Sequence, residues 1–142
     1  MGRSVVKPEV IATRLGRLQE YLKILKGLRK HSQAEFVRNP LIRGSAERYL
    51  QLAIECCIDI GNHVISDEGL RKPQDYKDVF LILAEAKIVP LVFAKQRLVP
   101  MAGFRNRLVH DYLRLDPTEI HKILRTRLPD FQKFAKSFAR FL

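Results

Sequence analysis

One eight-residue segment of this sequence concentrates side chains that could act on a phosphate. It runs from Arg105 to Tyr112 and also contains Asn106, Arg107 and His110. A histidine can accept or release a proton near neutral pH, and an arginine can bind a phosphate through two parallel N–H donors while it stays charged. A base acting on a 2′-hydroxyl and a cation stabilising the charge on phosphorus are sufficient to cleave RNA without a metal. DNA lacks that hydroxyl, so the chemistry would be selective for RNA.

The spacing of these residues constrains how they could act together. On an ideal helix Asn106 and His110 share one face, whereas Arg105 and Tyr112 lie on another. Arg105 and His110 are separated by about 140° around the helix axis and about 7.5 Å along it. They would converge if the helix loosened near Asp111, or if two copies of the segment faced each other across a two-fold axis. By itself, this spacing also occurs in ordinary basic helices, where the histidine would be a helix-end residue bonded to a neighbour.

Length and charge define the class of protein. The chain has 142 residues, a formal net charge of +11 and a pI of about 10.1. This length predicts a single domain over residues 1–142. The charge favours an anionic partner such as nucleic acid, a nucleotide, an acidic protein or a membrane surface, although a well-solvated basic protein or a Lys- and Arg-rich thermophile protein would look similar.

The sequence predicts a cytoplasmic protein that does not cross a membrane. The most apolar region, residues 79–94, is interrupted by Glu85, Lys87 and Pro90, and we see no signal peptide. The adjacent Cys56 and Cys57 are typical of small core residues in a reducing compartment.

Common cofactor and metal motifs are missing from the sequence. It contains no glycine-rich phosphate loop, no nucleophile elbow and no H-E-x-x-H segment. The other histidines, His31, His63 and His121, have no metal-ligand spacing and are interpreted as surface or cleft residues. We therefore expect neither a metal nor a cofactor.

Helical periodicity runs through nearly the whole chain. A first helix is predicted from Pro8, and Ser32 with Glu35 forms a capping box that starts a short one. Asn39 then caps a long helix that begins at Pro40 and runs to about residue 66.

Three more helices are predicted in the second half of the chain. One starts near Pro73 and carries Tyr76 inward, and the next opens at Pro90 with Leu91 among its core residues. Pro100 should kink or split that helix. The last helix starts at 116–119, and Pro129 is a candidate for a bend in it. The predicted fold is all-α: an up-and-down bundle of four to five helices with a short additional helix.

The long helix is apolar around most of its circumference but carries one narrow polar line. The line consists of Gln51, Glu55, Asp59, Asn62 and His63. Polar groups on a buried helix need partners. Either they pair with basic residues of neighbouring helices or face solvent along a thin strip, or they line a cleft or an oligomer interface, where they could form the wall opposite Arg105–Tyr112.

The pattern R-N-x-L-V-H-x-Y near the end of a helix resembles the HEPN superfamily and, closely, its HepT toxin branch. Residues 47–51 and 58–63 are similar to the long second helix of that family, and the resemblance extends roughly from residue 11 to residue 138. The residues that match the pattern are Arg105, Asn106, Leu108, Val109, His110 and Tyr112.

The resemblance implies a ribonuclease toxin of a toxin–antitoxin pair. It implies that Arg105 and His110 are catalytic, that the protein is a homodimer with a shared cleft, and that RNA is the substrate. Its antitoxin would be a small MNT-type nucleotidyltransferase, which could attach AMP to Tyr112. Asn106, Asp59 and Asn62 are the expected supporting residues. The alternatives are a non-catalytic HEPN subunit that binds a nucleotide or a nucleotidyltransferase, and a basic structural protein.

Overall fold

The computed structural model describes residues 5–142, and within this range the chain is an all-α bundle, as predicted. A π-helical segment (Ala94–Leu98) joins the short helix before it to the helix that carries the motif, and 3-10 turns lie at Tyr112–Arg114 and Ala139–Phe141. The α-helices are α1 (Pro8–Leu28), α2 (Gln33–Arg38), α3 (Pro40–Asp67), α4 (Tyr76–Glu85), α5 (Leu91–Phe93), α6 (Val99–His110), α7 (Pro117–Thr126) and α8 (Leu128–Lys136).

The predicted starts of the first three helices are confirmed. Pro8 opens α1, and Asn39 caps α3 by accepting a hydrogen bond from the Leu41 amide at 2.9 Å. In the capping box of α2, Ser32 Oγ accepts from the Glu35 amide at 3.2 Å and Glu35 Oε1 accepts from the Ser32 amide at 3.1 Å. These starts were predictable because a cap depends on neighbours only two or three residues away.

Helix α3 is the centre of the bundle and packs against α1, α4 and α6. Its buried side chains include Leu50, Ile54, Cys57 and Ile60. Gly61 lets α4 approach closely, because a Cβ atom there would lie 2.7 Å from Cγ1 of Val79. A rigid α3 therefore fixes the helices on both of its sides.

A cluster of three phenylalanine rings forms the part of the core between α4 and α8. The rings of Phe80 and Phe134 meet edge to face at 5.8 Å, and Phe134 contacts Phe138 at 4.7 Å. All three side chains are fully buried. This cluster ties α8 and the C-terminal turn to α4.

The predicted interruption near Pro100 takes the form of a π-helical segment, Ala94–Leu98, which separates α5 from α6. Pro100 has no N–H and its ring would clash with the carbonyl one turn earlier. The chain widens that turn instead: the Val99 amide donates to the carbonyl of Ala94, five residues back, within the π-helical segment. The helix then continues without interruption from Val99 to His110. The motif thus lies on a regular helix.

Three predictions about the residues before this segment need correction. Helix α4 begins at Tyr76 and not near Pro73, because Asp75 caps it by accepting from the Asp78 amide at 2.8 Å. The Tyr76 side chain is exposed, not inward. Leu91 is also exposed rather than part of the core.

The C-terminal region contains two further differences. Pro129 does more than bend the last helix, because α7 ends at Thr126 and α8 begins at Leu128. His121 is buried and not a surface residue; its Nε2 lies 2.9 Å from the carbonyl of His31, and its ring meets Phe36 edge to face. Its burial comes with these contacts to the α1–α2 connection and to Phe36 of α2, which a helical wheel of α7 alone does not show.

Within residues 5–142 no helix is both long enough and apolar enough to cross a membrane. Of the two cysteines, Cys57 is fully buried in the core, as predicted. Cys56 is half-buried, and its thiol donates to the carbonyl of Arg14 at 3.2 Å.

Candidate active site

The side chain of Arg105 is held by polar contacts on the inner side of α6. Its Nε donates to Oε2 of Glu55 at 2.9 Å, and its Nη2 lies 2.8 Å from the same oxygen. Its Nη1 donates to Oδ1 of Asn106 at 3.3 Å, and Gln51 Nε2 donates to Glu55 Oε2 at 3.1 Å. Only 15% of the arginine side chain is exposed. The guanidinium is therefore fixed in one orientation while part of it remains open to solvent.

The ring of Tyr76 completes the surroundings of Arg105. The guanidinium carbon lies 4.8 Å from the centroid of this ring, a distance typical of a cation–π contact. Tyr76 is the first residue of α4, so the contact joins α4 to the motif helix. Arg105 is thus positioned by α3, α4 and α6 together.

His110 is the last residue of α6, and its side chain is exposed. The imidazole ring of His110 forms no hydrogen bond or ion pair with any residue of the described chain, 5–142. The backbone leaves the helix at Asp111, with φ −138° and ψ 32°. This change comes after His110, so it does not alter the helical twist between Arg105 and His110.

Tyr112 lies in the 3-10 turn that follows the helix, and 60% of its surface is exposed. Asp111 and Arg114 flank it as a loose pair, with 3.6 Å between Oδ1 and Nε. The Tyr112 residue is therefore largely open to solvent. The neighbouring Arg107 is bound through both terminal nitrogens to Glu119 of α7, at 2.7 and 3.0 Å, which fixes the position of this turn.

The polar line on α3 divides into two parts. Gln51 and Glu55 join the network around Arg105, whereas Asp59 forms an ion pair with Arg14 of α1. Asn62 is exposed one turn further along. Pairing with basic residues of neighbouring helices is therefore confirmed for Glu55 and Asp59, and neither Asp59 nor Asn62 contacts Arg105.

Two residues of this network were not among the site residues predicted from the sequence. Glu55 belongs to the polar line, but nothing local indicates that it binds an arginine 50 positions away. Tyr76 was expected in the core; the Asp75 cap is the local signal that would have placed it at the exposed start of α4. Within residues 5–142 no cluster of three or more His, Cys, Asp or Glu side chains could hold a metal ion.

Comparison with known proteins identifies the family. A family model described as ribonuclease HepT-like matches residues 18–138. The chain is 29% identical over 137 residues to the tRNA nuclease HepT of Aphanizomenon flos-aquae, and the match covers 96% of this chain and 92% of that protein. It is 31% identical over 103 residues to the mRNA nuclease HepT of Shewanella oneidensis, covering 71% of this chain and 75% of that protein.

A solved structure shares the fold. It is the complex of a tri-AMPylated HEPN toxin of Shewanella oneidensis with MNT antitoxin. The likeness has a TM-score of 0.84 at 26% identity and covers 92% of this chain and 97% of that one. The resemblance stated from the R-N-x-L-V-H-x-Y pattern is confirmed: the chain belongs to the HepT-like ribonucleases, the HEPN family of ribonuclease toxins from toxin–antitoxin pairs.

Proposed function

We propose that this ribonuclease cleaves RNA at a composite site, where Arg105 of one subunit and His110 of a second subunit act on the same phosphate. The observation that supports it is their placement on one regular helix. Arg105 is fixed against Glu55 and Tyr76, while His110 is exposed at the end of α6. A two-fold axis near α6 would bring Arg105 of each chain close to His110 of the other chain.

The proposed reaction uses the 2′-hydroxyl of the RNA itself. His110 removes the proton from this hydroxyl, and the 2′-oxygen attacks phosphorus. Arg105 stabilises the charge that accumulates on the phosphate oxygens. The 5′-oxygen leaves and takes a proton, so the products end in a 2′,3′-cyclic phosphate and a 5′-hydroxyl. Asn106 supports Arg105 by accepting its Nη1 hydrogen bond.

Asp59 and Asn62 are proposed to line the same cleft from α3. Both side chains are exposed on the helix that also carries Glu55. Their contribution would be to the walls of the cleft and not to the chemical step.

The cleavage experiment needs no metal. The protein is incubated with RNA in EDTA beside the Arg105→Ala and His110→Ala variants, and the product ends are identified. Arg114→Ala is the matched control, because Arg114 lies four residues after His110 and its side chain is 85% exposed. We expect cleavage by the wild type and the control only. Equal cleavage by all four proteins would contradict the assignment of Arg105 and His110.

The proposed partner is an MNT-type nucleotidyltransferase antitoxin that transfers AMP to Tyr112 in the cytoplasm. The exposed ring and its place two residues after His110 support this target, because an attached nucleotide there would obstruct RNA. Co-expression with such an antitoxin should add AMP to the wild type but not to Tyr112→Phe, as measured by intact mass. Addition of AMP to Tyr112→Phe at the wild-type level would exclude Tyr112 as the target.

A further inference from the structure

A groove of about 540 Å³ lies on the flank of the motif helix. It runs between α6 and the α7–α8 pair, with α3 beneath it and Lys77 of α4 at one side. Its floor is apolar, and its residues come from three parts of the chain: Leu50, Ile54, Met101, Phe104, Ile123 and Phe131. The volume is within the range of sites that hold small organic molecules.

The rim of this groove is cationic. Lys77, Arg97 and Arg127 line it and form no ion pair with any residue that the structure describes, while Arg107 is already bound to Glu119. Apart from Glu119, the carboxyl group that lines the groove belongs to Asp130. Burial raises its pKa and outweighs the opposing effects of Arg97 and Lys133. The open charges of the groove are therefore mainly positive and stand above an apolar floor.

The groove leads towards His110. Pro100, Gly103 and Arg107 form its α6 wall and follow one another at spacings of three and four residues, so they occupy one face of the helix. His110 follows Arg107 by three residues, about 4.5 Å further along the axis, and lies at the edge of that face. A strand bound in the groove would thus pass beside the proposed base.

We propose that this groove is a nucleotide subsite for the RNA strand, in which one base next to the cleaved bond enters the apolar floor. Lys77, Arg97 and Arg127 bind the phosphates on either side of that base. Single-stranded RNA combines flat apolar bases with regularly spaced anions, which is the chemistry that this groove complements. The inference rests on the proposed function, because it assigns part of the same substrate.

Binding of an RNA that cannot be cleaved tests the subsite separately from catalysis. The probe is a fluorescent ten-nucleotide 2′-O-methyl RNA, and the measurement is anisotropy with the full chain. Arg97→Ala is compared with Lys95→Ala, and Arg127→Ala with Arg125→Ala, because the control residues are exposed neighbours that do not line the groove. We expect the groove variants to raise the Kd about 10-fold over their controls. The slope of log Kd against log salt should fall by roughly 0.7 for each lost phosphate contact.

A variant that fills the groove tests its shape without changing charge. A Cβ atom at Gly103 would lie 3.5 Å from Cε of Lys77, a flexible side chain that can move, so Gly103→Leu should fold. Gly16→Leu is its control, since a Cβ atom there meets nothing within 4 Å. We expect Gly103→Leu to raise the Kd at least 5-fold and Gly16→Leu to leave it unchanged, with thermal unfolding measured for both.

Each outcome decides the inference. The inference is overturned if the groove variants have the thermal stability of the wild type and the same Kd for the RNA as their controls. It is also overturned if the groove variants keep RNA binding but lose the complex with a nucleotidyltransferase, because the groove would then be a protein interface. If the groove binds RNA but the protein does not cleave it, the proposed function fails and the subsite stands.

Discussion

The carboxylate of Glu55 holds the guanidinium of Arg105 at 2.8–2.9 Å, through both Nε and Nη2. One carboxylate oxygen receives both contacts, and the third nitrogen, Nη1, donates to Oδ1 of Asn106. The contact therefore fixes the orientation of the arginine side chain, as the proposed site requires.

Removing Glu55 should disturb both activity and stability. Glu55→Ala leaves a largely buried guanidinium without its carboxylate, so we expect the free energy of unfolding to fall by about 1–3 kcal/mol. Loss of orientation should lower kcat for RNA roughly 10- to 100-fold. Glu55→Gln should recover part of kcat because its oxygen can still accept from Arg105. The control is Glu20→Ala on the exposed face of α1. A Glu55→Ala protein with wild-type kcat would show that the contact has no positioning role.

The ring of Tyr76 should matter more than its hydroxyl. Because the guanidinium carbon lies 4.8 Å from the ring centroid, Tyr76→Phe should keep the cation–π contact and retain kcat. Tyr76→Leu should lose about 0.5–2 kcal/mol of that interaction and lower kcat. The measurements are kcat and the thermal unfolding temperature of Tyr76→Phe, Tyr76→Leu and the wild type. Equal losses in the two variants would instead assign the effect to the hydroxyl.

Two glycine-to-alanine substitutions should change stability in opposite directions. At Gly61 a Cβ atom would lie 2.7 Å from Val79 Cγ1 and 3.1 Å from Leu83 Cδ1, so overpacking should cost about 1–3 kcal/mol. At Gly16 a Cβ atom would meet nothing within 4 Å, so alanine should stabilise α1 by about 0.5–1 kcal/mol. Urea unfolding measures both. A stabilising Gly61→Ala would mean that α3 and α4 are further apart than described.

The two thiols should resist alkylation in the folded protein. Burial, with a smaller effect of Asp59, raises the pKa of Cys56 to about 11, and burial also raises the pKa of Cys57. At pH 8 about one Cys56 thiol in a thousand would be ionised, against roughly a quarter of ordinary thiols, so iodoacetamide labelling should be about 200-fold slower. Labelling should become fast in urea and should accelerate as the pH rises towards 11. Fast labelling of Cys56 at pH 8 without denaturant would contradict its burial.

What could be predicted from the sequence was local. The starts at Pro8, Ser32 and Asn39 follow from contacts within one turn, and the R-N-x-L-V-H-x-Y pattern led to the correct family. Contacts between residues far apart in the sequence could not be predicted from it. The pairing of Arg105 with Glu55 depends on how α3 and α6 cross, and the continuous helix through Pro100 depends on a π turn that leaves no mark in residue types.

The regular helix narrows the possible arrangements of the active site. Loosening near Asp111 was one of two ways for Arg105 and His110 to converge, but the helix leaves its regular path only after His110. Assembly of two chains is the arrangement that we propose. Each dimer would contain two sites, and each site would combine the arginine of one chain with the histidine of the other. A dimer of two different inactive variants would therefore regain one active site.

The most direct test mixes variant subunits. Co-refolding equal amounts of Arg105→Ala and His110→Ala makes half of the dimers mixed, and each mixed dimer regains one of its two sites. The account predicts about one quarter of wild-type RNA cleavage, although each variant alone is inactive. Wild type mixed with the double variant should likewise give about one quarter, whereas sites within single chains would give about one half. An inactive mixture of the two single variants, with mixed dimers demonstrated by mass, would contradict the composite site.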